Sequence, residues 1–183
     1  MGQAVLEKKK YTYEDYLKTP DDKRYELIGG ELFMTPSPIT KHQRISRELA
    51  FALLQFAKKE KIGEVFYAPF DVYLDKENVV QPDILYVSQE RLMIIGEKNI
   101  QGAPDITVEI ISESSAYRDL VQKKKLYARF GVKEFWVVIP EQETVEIYAL
   151  KDAMYELRKT YVKSDLLESA ILPGFHIPLK EIF

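Results

Sequence analysis

The sequence predicts an α/β fold with a mixed central sheet flanked by helices. Three observations lead there. The chain has 183 residues, 46% of them hydrophobic, which suffices for one substantial core and is too short for two ordinary domains. Two stretches carry apolar residues at helical spacing, and several shorter runs are apolar or alternating, as strands are. The second helical stretch joins two apolar runs, and such a crossover favours a parallel strand pair.

Thr12 to Leu17 reads as a short capped helix, with Thr12 as N-cap and Asp15 at the reciprocal position. Arg24 to Ile28 and Glu31 to Thr35 flank Gly29-Gly30, a pair suited to the positive φ angles of a two-residue hairpin turn. That register puts Glu26, Ile28, Glu31 and Phe33 on one face, and Tyr25, Leu27, Leu32 and Met34 on the other. From Lys41 to Lys61, His42, Ile45, Leu49, Leu53 and Phe56 follow at spacings of three and four, a long amphipathic helix expected to stop at Gly63.

Glu64 to Leu74 and Val79 to Val87 are expected to form two antiparallel strands across the polar turn Asp75-Lys76-Glu77-Asn78. A less regular stretch from Ser88 leads to the strand Asp105 to Ile111. Ser112 to Ser115 offer N-cap hydroxyls to a helix from Ala116 to Phe130, and Gly131 ends it. Glu134 to Ile139 reads as a buried strand with Thr144 to Leu150 as its hairpin partner, followed by a strand pair near Met154 to Leu157 and Lys159 to Val162. The tail from Leu172 to Phe183 has the make-up of an apolar strap. Residues 1–183 are expected to form a single domain, with 1–10, including the Lys8 to Lys10 run, as a mobile tail.

A net charge of -3 and a pI near 5.6 give no global attraction to nucleic acid, so any such contact would depend on a local basic patch. The absence of cysteine removes disulfides, thiolate zinc sites and cysteine nucleophiles. Two histidines are too few for a histidine-built zinc site. No window approaches about 18 uninterrupted apolar residues, and the N-terminus lacks the apolar stretch of a signal peptide, so a soluble cytoplasmic protein is expected.

Three charges stand where an apolar interior would not tolerate them alone: Asp83 and Glu109 in strand-like runs, and Lys123 on the stripe Leu120, Lys123, Tyr127, Phe130. Burying an unpaired carboxylate costs several kcal/mol. A lysine and a divalent cation would compensate both acids; so, more simply, would a structural ion pair. Asp83 follows Pro82, a residue suited to a strand start or a distorted edge. Alternation puts Asp105, Thr107 and Glu109 on one strand face, where Asp105 reads as a turn or capping acid. Lys124 lies on a neighbouring face, and spacing does not choose between it and Lys123; Lys125, Arg118, Gln122 and Arg129 would form a solvated cationic face. His42 reads as a hydrogen-bonded core histidine, and Trp136, Phe135 and Tyr127 as core.

Tyr25 to Leu32, Gln81-Pro82-Asp83, Gly102 to Glu109, and Lys123 to Tyr127 through Gly131-Val132-Lys133-Glu134-Phe135-Trp136 together resemble the Uma-type restriction endonuclease family, a branch of the PD-(D/E)XK nuclease superfamily. The resemblance runs from about Tyr13 to the Leu172-Pro173-Gly174 tail. It implies a restriction-endonuclease-like αβββαβ core, here with an N-terminal hairpin and C-terminal β additions. It also implies a metal-dependent endonuclease acting on DNA, with Asp83 and Glu109 as ligands of Mg²⁺, Mn²⁺ substituting, and Lys123 rather than Lys124 orienting water or stabilising charge. The Ile110 carbonyl could add a ligand. Glu26 is the best candidate for a further catalytic acid, as an extra ligand or a water-positioning group, with Glu31 and Asp71 behind it; the solvated side of a hairpin is the competing reading for Glu26 and Glu31. Ile111 occupies the position where the wider superfamily carries its lysine, so Lys123 has to reach that space from the helix, and Ser112-Glu113-Ser114 departs from the family's Ser-Pro-Ser. A homodimer is expected because duplex DNA presents two antiparallel strands. The competing readings are a catalytically silent domain that binds nucleic acid or a partner, and a hydrolase of another phosphate ester.

Overall fold

The structure, a computed structural model, describes residues 9–20 and 22–183. Most of the 1–10 segment therefore lies outside the described residues; within it, Lys10 pairs with Glu77 at 3.2 Å. A four-residue helix α1 (Tyr13–Tyr16) starts at Thr12, whose amide is held by the Asp15 carboxylate at 3.0 Å. Strands β1 (Arg24–Ile28) and β2 (Glu31–Thr35) then form the expected hairpin, with Glu26 opposite Phe33 and Ile28 opposite Glu31. Helix α2 (Thr40–Glu60) buries Ile45, Leu49 and Leu53. It stops two residues before Gly63, because Lys61 itself takes the left-handed cap conformation at φ 56°.

The predicted pair of long strands is instead four short ones. β3 (Gly63–Tyr67) and β6 (Ile84–Ser88) pair with each other, while β4 (Val72–Asp75) and β5 (Asn78–Val80) form the hairpin tip and join a different sheet. Pro69 and Pro82 explain the breaks, since neither has an amide hydrogen to donate to a ladder. One bond from the Ala68 amide to the Asp83 carbonyl, 3.0 Å, bridges the two corners. Asp83 is thus placed at a bend rather than inside a strand.

After β7 (Ile100–Gln101), β8 (Ile106–Ile110) runs parallel to β9 (Glu134–Ile139), joined by the crossover helix. That helix begins with a π-helical turn, Arg118–Lys123, and continues as α3 (Lys124–Phe130), closed by Gly131 at φ 86°. β10 (Thr144–Lys151) pairs with β9 and with one continuous β11 (Met154–Val162), so the two short strands expected after Met154 are a single strand. β12 (Leu166–Glu168) and β13 (His176–Pro178) close the chain.

Among the described residues three sheets result: β2-β1-β5-β4-β7, β11-β10-β9-β8-β6-β3 and the two-stranded β12-β13. One face of the six-stranded sheet packs on α2 and on the tail residues Leu172, Phe175, Ile177 and Ile182. The other packs on α3 and the five-stranded sheet through Tyr127, Phe135, Val80 and Ile28. The architecture is a mixed α/β fold, and no helix among the described residues is long and apolar enough to cross a membrane.

Candidate active site

Alternation along β8 sends Ile106, Val108 and Ile110 into the α2 side of the core and Glu109 to the other. There Glu109 is 2% exposed. Its Oε2 meets Lys123 Nζ at 3.0 Å, and its Oε1 accepts the Tyr127 hydroxyl at 2.6 Å. Lys123, also buried, touches Glu26 Oε1 at 2.8 Å and Asp119 Oδ1 at 3.2 Å. Glu26 further accepts the Gln81 amide at 2.8 Å and faces Arg118 Nε at 3.4 Å. Three carboxylates therefore share one ammonium, with a guanidinium at the edge.

Asp83 sits beside this group, with its Oδ2 accepting the Ile110 amide at 2.7 Å and lying 3.2 Å from His42 Nε2. His42 is thus not sunk in the core as a bystander: it stands where the α2 stripe passes out of the core into the cleft. Burial alone would disfavour its charged form, but the Asp83 carboxylate, with Asp119 behind it, outweighs burial and raises its pKa. Burial likewise pushes Glu109 well above the usual carboxylate range; Lys123 opposes that push, while Asp119, Asp83 and Glu26 add to it. Burial works against the Lys123 charge too, yet Glu109, Glu26 and Asp119 prevail and hold it as an ammonium.

Glu26, Asp83, Glu109, Asp119, Lys123 and His42 all line one cleft of about 1140 Å³ between the hairpin, α2 and the start of the crossover helix. Lys123 reaches Glu109 from that helix, while Ile111 is packed among apolar residues. Lys124 points elsewhere, its ammonium 3.3 Å from the centre of the Tyr148 ring. Two weaker candidates do not line the cleft. Asp71 is engaged by Tyr16 and Gln81 at 2.8 Å each, and Glu31 lies at the turn end of the hairpin, opposite Ile28. Asp105 serves as a structural clamp on the Ser88 amide, Arg91 and Lys133.

Asp119 and Arg118 are the residues sequence reading missed. A regular helix puts Leu120 in line with Lys123 and Arg118 on the solvent side; the π turn adds a residue to that turn and shifts the phase. Asp119 is buried and Leu120 is 37% exposed.

The donor chemistry suits a hard divalent cation: Asp83, Glu109 and the Ile110 carbonyl offer oxygen. The charge balance agrees, since four carboxylates face the permanent cations Lys123 and Arg118 and a histidine of raised pKa. Among the described residues, however, no three acidic or histidine side chains converge on a single point as a ready ligand set.

The Uma2 family, described as "Putative restriction endonuclease", matches residues 12–180. The chain belongs to this family. Nuclease chemistry is the class of activity that membership carries, and restriction-endonuclease-like families generally use divalent metal ions. A crystal structure described as "a putative nuclease belonging to DUF820 from Anabaena variabilis" is similar over 94% of this chain and 97% of that one, at 22% identity and a TM-score of 0.79, a likeness of fold. No curated protein matches the chain.

Proposed function

We propose that this Uma2 protein is a divalent-metal-dependent endonuclease that hydrolyses DNA phosphodiester bonds in the cleft between hairpin and α2. The observation that carries this reading is a buried Glu109 sharing Lys123 with Glu26 beside Asp83, all open to one cleft. Asp83 and Glu109, with the Ile110 carbonyl, would hold Mg²⁺, or Mn²⁺ in its place. A bound ion would supply Lewis-acid stabilisation of the charge that builds on the phosphoryl and leaving oxygens.

The chain's own groups would do the rest. In hydrolysis a water oxygen bonds to phosphorus as the bond to the leaving oxygen breaks. Lys123, fixed by Glu26 and Asp119, would orient that water or offset the charge gained by the phosphoryl oxygens. Glu26, acceptor of the Gln81 amide, would position Lys123 and thereby act in the site. The low dielectric around Glu109 strengthens each of these interactions. Where both strands of a duplex are cut, its two-fold symmetry would call for a second copy, hence a homodimer on that substrate.

Supercoiled plasmid incubated with Mg²⁺ or Mn²⁺ tests the reading. Asp83→Ala and Glu109→Ala should each lower nicking by about 10²-fold or more. Equal nicking by all three proteins would assign the activity to a contaminant. One observation favours a second reading, a catalytically silent binding domain: the acids are already compensated, Asp83 by His42 and Glu109 by Lys123. Calorimetry separates the two, because a silent domain would show no Mn²⁺ binding that Glu109→Gln abolishes.

A further inference from the structure

The cleft has an acidic floor and a wall of different chemistry. On the open face of α2, Lys41, Arg44, Arg47 and Phe51 follow at spacings of three and four, and all four line the cleft. Tyr67, the last residue of β3, lines it from the adjoining strand. Phe51 is 56% exposed and Tyr67 59%, and neither ring stacks on another aromatic among the described residues. Arg44 has no ion-pair partner among them either, whereas Lys41 meets Glu141 at 3.0 Å and Arg47 meets Glu48.

We infer that Phe51 and Tyr67 form a stacking platform for unpaired nucleobases, with Arg44 and Arg47 on the adjoining phosphates, so that the preferred substrate is a strand with unpaired bases rather than intact duplex. The inference rests on the nuclease reading and narrows its substrate. Charge carries the first step: a chain of net charge -3 gains little from long-range attraction, and two or three cations on one helix face give only a few phosphate contacts. Affinity must then come from a source that salt does not screen. Base–aromatic stacking is such a source, is tolerant of sequence, and needs a ring face that a base in an intact duplex does not offer. Cations and rings share this wall beside the acids, so phosphates and bases of one strand would each find a partner on it.

The test is fluorescence anisotropy in EDTA, with a labelled single strand, the same sequence as duplex, and a duplex with a central unpaired bubble. The wild-type chain should bind the single strand and bubble more tightly than the duplex, with a log–log salt slope no steeper than about -2, as expected for about three phosphate contacts on a single strand. Phe51→Ala and Tyr67→Ala should each weaken single-strand binding about tenfold and change duplex binding less than about threefold. Circular dichroism and light scattering on the same variants report folding and oligomeric state. Duplex preference, or aromatic variants with unchanged single-strand affinity, would overturn the inference. Variants that turn a dimer into a monomer without altering DNA affinity would also overturn it and make this face a contact between copies. Binding in EDTA is independent of cleavage: a protein that nicks plasmid through Asp83 and Glu109 yet ignores single strands loses the platform and keeps the nuclease reading.

Discussion

The backbone amide of Ile110 donates to the Asp83 carboxylate at 2.7 Å, so the residue beside Glu109 aims the other acid of the pair. This bond separates charge from shape. Asp83→Asn retains an oxygen acceptor and should unfold within about 1 kcal/mol of wild type in urea, whereas Asp83→Ala leaves a buried amide unsatisfied and should lose about 1–3 kcal/mol. Both should lack nicking activity.

Lys123 is the common cation of Glu26, Glu109 and Asp119. Lys123→Met fills similar space but strands three buried acids, and should cost about 3–5 kcal/mol by urea denaturation. Adding Glu26→Gln and Glu109→Gln to that variant should restore part of the loss, because fewer uncompensated charges remain.

Lys124 distinguishes the two neighbouring lysines. Its ammonium rests on the Tyr148 ring, so Lys124→Ala should lose about 0.5–2 kcal/mol of stability and leave plasmid nicking within about threefold of wild type, while Lys123→Ala abolishes it.

Asp105 gives a pH dependence of defined sign. Burial would raise its pKa, but Lys133, the Ser88 amide and Arg91 together lower it. A depressed carboxylate contributes stability above its unfolded pKa of about 3.9 and loses it as pH falls through the folded value. Asp105→Asn should therefore be less stable than wild type by about 3 kcal/mol at pH 7, with the gap closing in urea titrations below about pH 4.

Glu134, fully buried in β9, fastens the C-terminal strap: it accepts Trp136 Nε1 at 2.9 Å, Ser169 Oγ at 2.8 Å and the Ala170 amide at 2.7 Å. Glu134→Ala should destabilise the fold by about 3 kcal/mol and raise amide hydrogen exchange at Ala170 and Leu172 above any change at the hairpin.

Much of this arrangement was legible because it depends on period and local chemistry. Period-two alternation put Glu26 on one hairpin face with Ile28, Glu31 and Phe33, and Glu109 on one strand face with Asp105 and Thr107. The three-four stripe of α2 included His42 but gave it a core place, where the structure has it beside Asp83 at the cleft. The Gly29-Gly30 hairpin and the Gly131 stop followed from backbone conformation. Where reading failed, a tertiary cause is visible. The apolar continuity of 64–74 and 79–87 outweighed Pro69 and Pro82, although those prolines decide which sheet each half joins. Glu134 looked like an ordinary strand start because its partners, Ser169 and Ala170, lie some 35 residues downstream. Arg118 was hidden because a fixed 3.6-residue period has no place for a π turn, whereas Asp119 stands four residues before Lys123, a same-face pair that an apolar-stripe criterion passes over.

That π turn behaves as a one-residue insertion in an otherwise regular helix. Rewinding the same residues as ordinary α-helix would rotate everything upstream of Lys123 by about 100°, whereas deleting one residue between Asp119 and Lys123 would let the α-helix close with its upstream face kept in place. In the rewound helix Arg118 would leave Glu26 for the solvent side, while Asp119, four residues before Lys123, would stay beside it. In this stretch the winding of one turn, and not only the identity of its residues, keeps Arg118 beside Glu26.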